Sequence, residues 1–362
     1  MSVASYGPVT AVREDRGRFG ALRERRVLVY WPHGFGDWVH LGVLAPLLEP
    51  SNRYAVTRFG DDCVSLMQGS PHMFPLRSGV RANGDGALLG PAHLGLRLKE
   101  CNGNLVTLQL PEPLHGEVTG FAPDTLLWTD YPETEGRTAY PFHTKARNAA
   151  RLLVSAERLA ALDLSQPLPC ALDFTPPAKT QRLIDERLAP FAPPGTRIAA
   201  ISRRGVTAAR KSWGDGSEAR EFARGFAQDW RFISMDDEDL GERGAGFRAL
   251  FGDLDEPFGH VMRAFAQRLD LFVGVPAGPL HFVLARGGVP TVGVWAAHHP
   301  DWYDEPNPLA IHVVGKYVRD RKFDRRVATT TKPPALQHRL VYLDATAVGA
   351  EPVADAARAL IG

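Results

Sequence analysis

Apolar and polar positions are patterned most clearly over residues 269–295, LDLFVGVPAGPLHFVLARGGVPTVGVW. The pattern predicts a buried strand, a Pro/Gly turn, a helix opening at Gly278, a stop at Gly287-Gly288 and a second buried strand. In a βαβ unit of this kind the turn lies at the carboxyl end of the first strand, where open α/β sheets take their ligands. Pro279 falls in the first helical turn, where a missing N–H costs nothing. The unpaired N–H groups of that turn favour an anion, and His281 adds a side-chain donor nearby.

The same alternation runs through both halves of the chain. In the first, 25–31 reads as a strand, 32–37 as a glycine loop and 38–48 as a helix; 53–59, 104–110 and 124–130 read as further strands, and 145–161 as a helix. The proline-rich passage 165–177 has apolar positions without a period and is the expected crossing between domains. Beyond it come a helix (179–189), a strand (196–202), a basic loop, a helix (217–227), a strand (230–235) and a helix (259–267) that leads into 269–295. A last helix, 353–360, suits either domain. Strands alternating with helices predict an α/β chain with mainly parallel sheets, here two Rossmann-like domains facing each other across a cleft. The expected division is 1–170, 171–345 and a C-terminal helix within 346–362.

Composition narrows the function. A length of 362 residues suits two domains, and 44% hydrophobic with 23% charged residues describes a globular chain. A formal net charge of +1 gives no global field for nucleic acid, so any phosphate recognition is local. Cys63, Cys101 and Cys170 have no CxxC spacing, which points to a reducing compartment rather than disulfides or zinc. No apolar run has the length of a membrane span, and the Arg-rich segment 1–26 precedes only the short run 27–31, so a cytoplasmic protein without a signal peptide is expected.

Four constellations carry candidate chemistry. Gly34, Gly36 and Asp37 follow the first strand; Val39 stands where a dinucleotide fingerprint needs its third glycine, which disfavours an oxidoreductase. Asp37 then either caps a helix beginning at Trp38 or presents a carboxylate at the lip of the cleft. Ser202, Arg203 and Arg204, with Arg210, Lys211 and Trp213, gather four cations after strand 196–202, enough to neutralise a diphosphate without a metal. The third is the turn from Val275 to His281. The fourth, Asp236-Asp237-Glu238-Asp239, is a solvated turn, a ribose contact or a divalent-ion site. His298, His299 and Asp301 look like a metal cluster, but adjacent histidines in an extended segment point to opposite faces.

In this order the motifs resemble the bacterial heptosyltransferase-like glycosyltransferases of family 9, whose signatures are a Gly-Gly-Asp turn, a Lys-x-Trp loop and an Asp-Thr-Gly-x-x-His turn. The chain supplies Gly34, Gly36 and Asp37, then Lys211 and Trp213, then Gly278 and His281; the stretch holding Asp301, Pro306 and Pro308 is also similar. The resemblance implies the GT-B fold, with an acceptor-binding first domain and a second that binds a nucleotide-diphosphate sugar. It implies inverting transfer with neither metal nor other cofactor. Asp37 would be the general base, and Lys211, aided by Ser202 and Arg203, would hold the leaving diphosphate together with Gly278, Pro279 and His281. Asp236 or Asp237 would meet the ribose, and Leu254 lies where the base-binding loop falls. Pro276 and Ala277 replace the usual Asp and Thr, so the donor is ADP-heptose or another nucleotide sugar. The acceptor is a glycan, a protein or a small molecule. Two alternatives compete: a nucleotide-sugar-binding protein without catalysis, and a metal-dependent GT-A-like transferase using Asp237 and Asp239.

Overall fold

The structure is a computed structural model, and it describes residues 26–30, 35–44, 51, 53–57, 73–75, 125–128, 160–205, 209–302, 304–320 and 333–362. The expected strand 104–110, the basic arm before Arg26, Gly34, and all of the expected helix 145–161 except Ala160 and Ala161 lie outside these residues. Two compact units emerge: Met1–Tyr140, Lys145–Leu164 and Pro169–Asp173 form one, and Pro141–Thr144, Ser165–Leu168 and Phe174–Gly362 the other.

In the first unit, β1 (Arg26–Tyr30), β2 (Arg53–Thr57), β3 (Met73–Pro75) and β4 (Thr125–Trp128) form a parallel sheet in the order β3-β2-β1-β4. Helix α1 (Phe35–Leu44) joins β1 to β2. It starts three residues before the expected point, because Phe35, Val39 and Val43 recur every fourth residue and carry the apolar face back into the glycine loop. Asp37 is therefore no N-cap; it lies within the first helical turn. Gly42 lets the segment 169–173 approach α1 closely: Ala171 donates to the Gly42 carbonyl at 2.8 Å, and a Cβ on Gly42 would meet the Cys170 sulfur at 2.9 Å. Cys170 is half-buried there, and desolvation pushes its thiol pKa up to about 12.

The second unit is built on β5 (Arg197–Ser202), β6 (Trp230–Ser234), β7 (Gly244–Gly246), β8 (Leu271–Gly274), β9 (Thr291–Trp295), β10 (Ala310–Val314) and β11 (Arg339–Tyr342), all parallel, in the order β11-β10-β9-β8-β5-β6-β7. The chain winds from β5 outward to β7, returns to the other side of β5 at β8, and winds outward again to β11. That is a doubly wound sheet whose direction reverses between β5 and β8. Its helices among the described residues are α2 (Ala178–Leu188), α3 (Ser217–Arg224), α4 (Phe247–Phe251), α5 (Phe258–Ala266), α6 (Gly278–Arg286), α7 (Lys316–Asp320) and α8 (Ala350–Ile361). The small apolar face of α8, with Val353, Ala354, Ala356 and Ala357 buried, packs on α3, β9 and β10, so the last helix belongs to this unit. No described helix is long and apolar enough to cross a membrane.

One buried pair fixes a glycine in the sheet. Trp295 Nε1 donates to His312 Nδ1 at 2.9 Å across β9 and β10, over the bare backbone of Gly293. A Cβ there would press on the His312 ring and come within 2.6 Å of Trp295 Nε1. Gly293→Ala is expected to cost about 2 kcal/mol through overpacking and the lost hydrogen bond. Urea unfolding measures this as a lower midpoint with an unchanged slope.

Candidate functional site at the reversal of the sheet

Beside the point where winding reverses, motifs about seventy residues apart leave neighbouring strands side by side. Ser202 closes β5 opposite Gly274 at the end of β8, and the Ser202 carbonyl accepts the Val275 N–H at 2.9 Å. The Arg203-Arg204 segment and the turn from Val275 to Pro279 therefore start side by side at the carboxyl ends of two parallel strands, the position where doubly wound sheets take their ligands. Ser202 is itself buried.

The loop after β5 is stitched to itself and to the core. Trp213 N–H donates to the Arg203 carbonyl at 2.9 Å, and Arg203 Nη1 donates back to the Trp213 and Gly214 carbonyls at 3.2 and 2.6 Å. The Trp213 ring is 1% exposed, stands edge-on to Phe222, and donates from Nε1 to the Val348 carbonyl at 2.8 Å just before α8. Trp213 is thus an anchor. Lys211 rides half-buried on the 3-10 turn Ala209–Lys211 immediately before it.

The four acids after β6 are each held by groups of the protein. Asp236 Oδ2 accepts the backbone N–H groups of Arg203 at 2.6 Å and Arg204 at 3.1 Å; its pKa is raised by burial, against which those two bonds work. Asp237, in the left-handed region at φ 56°, accepts the Arg248 N–H at 2.7 Å. Glu238 holds the Arg203 guanidinium through both its oxygens and also receives Arg204 Nε at 2.7 Å. Burial raises its pKa, but the two arginines outweigh it and leave the carboxyl below its ordinary value. Asp239 pairs with Arg220 at 3.1 Å and accepts the Gly241 N–H. Asp237 and Asp239 are spent on different protein groups rather than aimed at one point, which disfavours the metal-site alternative. Arg203, likewise, is bound up within the fold and is not a loose cation.

On the other wall, α6 opens at Gly278 after the extended Ala277, with no side-chain cap and no acid in its first turn. Pro279 sits in that turn, where a donor would be unused. Pro276 is buried, and Ala277, Gly278 and Pro279 are half-buried. His281, also buried, has Nδ1 at 2.9 Å from both carboxylate oxygens of Asp304. Asp304 lies on the segment between β9 and β10. That segment is tied to α6 a second time, by Asn307 Nδ2 donating to the Leu284 carbonyl at 3.0 Å.

Behind Asp304 lies a directional chain of buried rings. The indole of Trp295 only donates, so His312 Nδ1 is unprotonated and its Nε2–H faces His338 Nδ1 at 3.2 Å. Full burial, then His338, hold the His312 pKa well below its usual value, keeping the ring neutral. His338 Nε2–H in turn reaches the Asp304 carbonyl at 3.2 Å. His299 accepts the Asp301 N–H at Nδ1 and meets the Tyr342 hydroxyl at Nε2.

Of the residues singled out in the sequence, Ser202 ends β5, and Arg203, Lys211, Asp236, Gly278, Pro279 and His281 lie on loops or in the first turns of a helix that follow strands of the second sheet. Leu254 is half-buried in the turn between α4 and α5, where its N–H bonds the Phe251 carbonyl. In that turn Glu256 is held by Lys179 at 2.6 Å and Thr180 at 3.0 Å. Asp37 belongs to the other unit, in the first turn of α1. Asp304 and Glu238 were not picked out individually by sequence, since each acts through a partner 23 or 35 residues away.

No protein-family model matches the chain, and no curated protein does. Solved structures do. A family 9 glycosyl transferase from Veillonella parvula is 16% identical with a TM-score of 0.56, the match covering 94% of this chain and 98% of that one. The ADP-heptose lipopolysaccharide heptosyltransferase II of E. coli is 14% identical with a TM-score of 0.52, over 93% of this chain and 98% of that one. At such identities the likeness is one of fold. The α/β GT-B architecture read from the sequence is the fold the chain shares with these transferases.

Proposed function

We propose that the protein is an inverting glycosyltransferase that moves a sugar from a nucleotide-diphosphate donor to an acceptor hydroxyl. The observation that carries this reading is that β5 and β8, the strands leading into the Lys211 loop and the uncapped start of α6, end side by side at the reversal of the second sheet. A diphosphate needs fixed positive groups and backbone donors where its charge grows as it leaves, and these two features supply both kinds. The shared fold with a family 9 transferase and an ADP-heptose-using enzyme supports the same chemistry and makes ADP-heptose the first donor to try.

In this mechanism Asp37 takes the proton of the acceptor hydroxyl as that oxygen attacks the anomeric carbon. The carbon–oxygen bond to the diphosphate breaks, and its electron pair leaves with the phosphate, met by Lys211, the Gly278 N–H and His281. Arg203 supports this from within the loop. Asp236, bonded through one oxygen to the Arg203 and Arg204 N–H groups, has its other oxygen to offer a ribose hydroxyl. No metal is required, since cations and a helix terminus do its work. The scattered cysteines favour the cytoplasm.

The test is a thermal-shift screen of ADP, UDP, GDP and CDP and their sugars, followed by mass detection of transfer. One nucleotide class is expected to stabilise the protein selectively, by about 2.7 kcal/mol at a hundred times its Kd. Absence of any selective nucleotide would overturn the reading. Binding without transfer to glycan, protein or small-molecule acceptors would favour a non-catalytic nucleotide-sugar binder, for which Pro276 in place of a donor-contacting acid is the motivating residue.

A further inference from the structure

We propose that Asp304 is a positioning residue for the transfer reaction: it fixes the tautomer of His281 and stabilises the imidazolium that meets the departing diphosphate. This rests on the transferase reading above.

The geometry is that of a buried carboxylate–histidine pair. Both oxygens of Asp304 stand 2.9 Å from His281 Nδ1, and both side chains are 5% exposed. A carboxylate in that position demands a proton on Nδ1, which turns Nε2 to any other partner. Neutral, Nε2 is an acceptor and repels phosphate. Protonated, it is a charged donor. The start of α6 works against a positive ring on His281, because the helix dipole is positive there, so a cation one turn in needs a compensating anion. Asp304 is that anion, in a site where Coulombic attraction is little screened.

The surroundings hold Asp304 for this task. Its N–H bonds the Pro300 carbonyl at 3.3 Å, and its carbonyl accepts His338 Nε2 at 3.2 Å. His338 is in turn orientated by the neutral His312, and that ring by Trp295. Asn307 pins the same segment to the end of α6. When the diphosphate leaves with the electron pair of the broken carbon–oxygen bond, it gains one negative charge. His281 Nε2–H answers with a charge-assisted hydrogen bond, and its proton stays in place. The benefit is larger in the transition state than in the bound donor, so it belongs in kcat.

The experiment uses the full chain with Asp304→Asn, His281→Gln and the double variant. Asp304→Asn is expected to lower kcat by about 10–100-fold with KM little changed, the usual consequence of losing such an orienting partner. His281→Gln should lose at least as much, and the double variant no more than His281→Gln alone, because the two act as one unit. Losses that multiply independently, or Asp304→Asn at full activity, overturn the proposal. Nitrogen-15 spectra of labelled histidine give a readout that needs no turnover. In the wild type, His281 Nδ1 should be protonated, and with ADP bound both ring nitrogens should be; in Asp304→Asn the ADP complex should lose the imidazolium signature. An unprotonated Nδ1 in the wild type refutes the idea even if Asp304→Asn proves unstable. If no nucleotide sugar is turned over, the transferase reading fails on its own, while the Nδ1 signal still decides whether Asp304 sets the tautomer.

Discussion

Asp37→Asn is expected to remove nearly all sugar transfer, lowering kcat by about 10²–10⁴-fold, the usual contribution of a positioned general base. Nucleoside diphosphate affinity, measured by calorimetry, should stay within about twofold, because in the proposed mechanism the base meets the acceptor and not the phosphates. The expectation rests on placement. β1 lies between β2 and β4, where the winding of the first sheet reverses, and α1 begins just beyond its carboxyl end with Asp37 in the first turn. Ligands of doubly wound sheets gather at that kind of position. Asn keeps the size and shape of the side chain but replaces one acceptor oxygen by an NH2 donor, and it can neither carry the charge nor take a proton. Lost activity with retained binding therefore isolates the chemical step. Full activity in Asp37→Asn would mean that another group accepts the proton and that the resemblance of Gly36-Asp37 to the family turn is accidental.

What could be read from the sequence divides along the range of the interactions. The βαβ unit at 269–295 is legible because one apolar period and two glycine stops act over neighbouring residues; β8, α6 and β9 lie where the pattern puts them. Strands β5 and β6 match for the same reason. Helix α1 begins earlier than expected because the packing of Phe35 extends it past what a local capping rule suggests. Strand β10 is hidden by His312, a polar residue in an apolar run that makes sense only once Trp295 and His338 stand beside it. Strand β7 is Gly-Ala-Gly, with no β-branched residue to announce it, and β11 is a half-exposed edge. At the site, the residue types at Ser202, Lys211, Gly278 and His281 are visible in sequence because their strand-then-turn context is local. Their partners are not: Asp304 lies across a strand connection from His281, and Glu238 faces Arg203 from the next strand. Trp213 was legible as a residue that must pack on something, but its hydrogen bond to Val348, 135 residues on, was not.

The second large effect is on stability, and it decides what Arg203 does. Glu238→Ala leaves a guanidinium only 7% exposed without its counter-charge, and is expected to cost about 3 kcal/mol, the lower end for breaking a buried pair. Equilibrium urea unfolding measures it. The sign with pH follows from the depressed carboxyl: Glu238 contributes fully above its unfolded pKa, and that contribution is lost as the pH falls through the lower folded value. The gap between wild type and variant should therefore be complete at neutral pH and close on acidification. Nucleotide binding separates two roles for the arginine. As a clamp, Arg203 holds the ends of the Lys211 loop through the Trp213 and Gly214 carbonyls, so loosening it by Glu238→Ala should weaken nucleoside diphosphate binding. As a phosphate ligand held in check by Glu238, it would be released by the same substitution, and binding would tighten. The clamp is the expected outcome, because Nε and Nη2 meet Glu238 while Nη1 meets two backbone carbonyls, so every nitrogen of the guanidinium already serves the fold. A gain in affinity in Glu238→Ala would transfer Arg203 from the scaffold to the binding of the diphosphate.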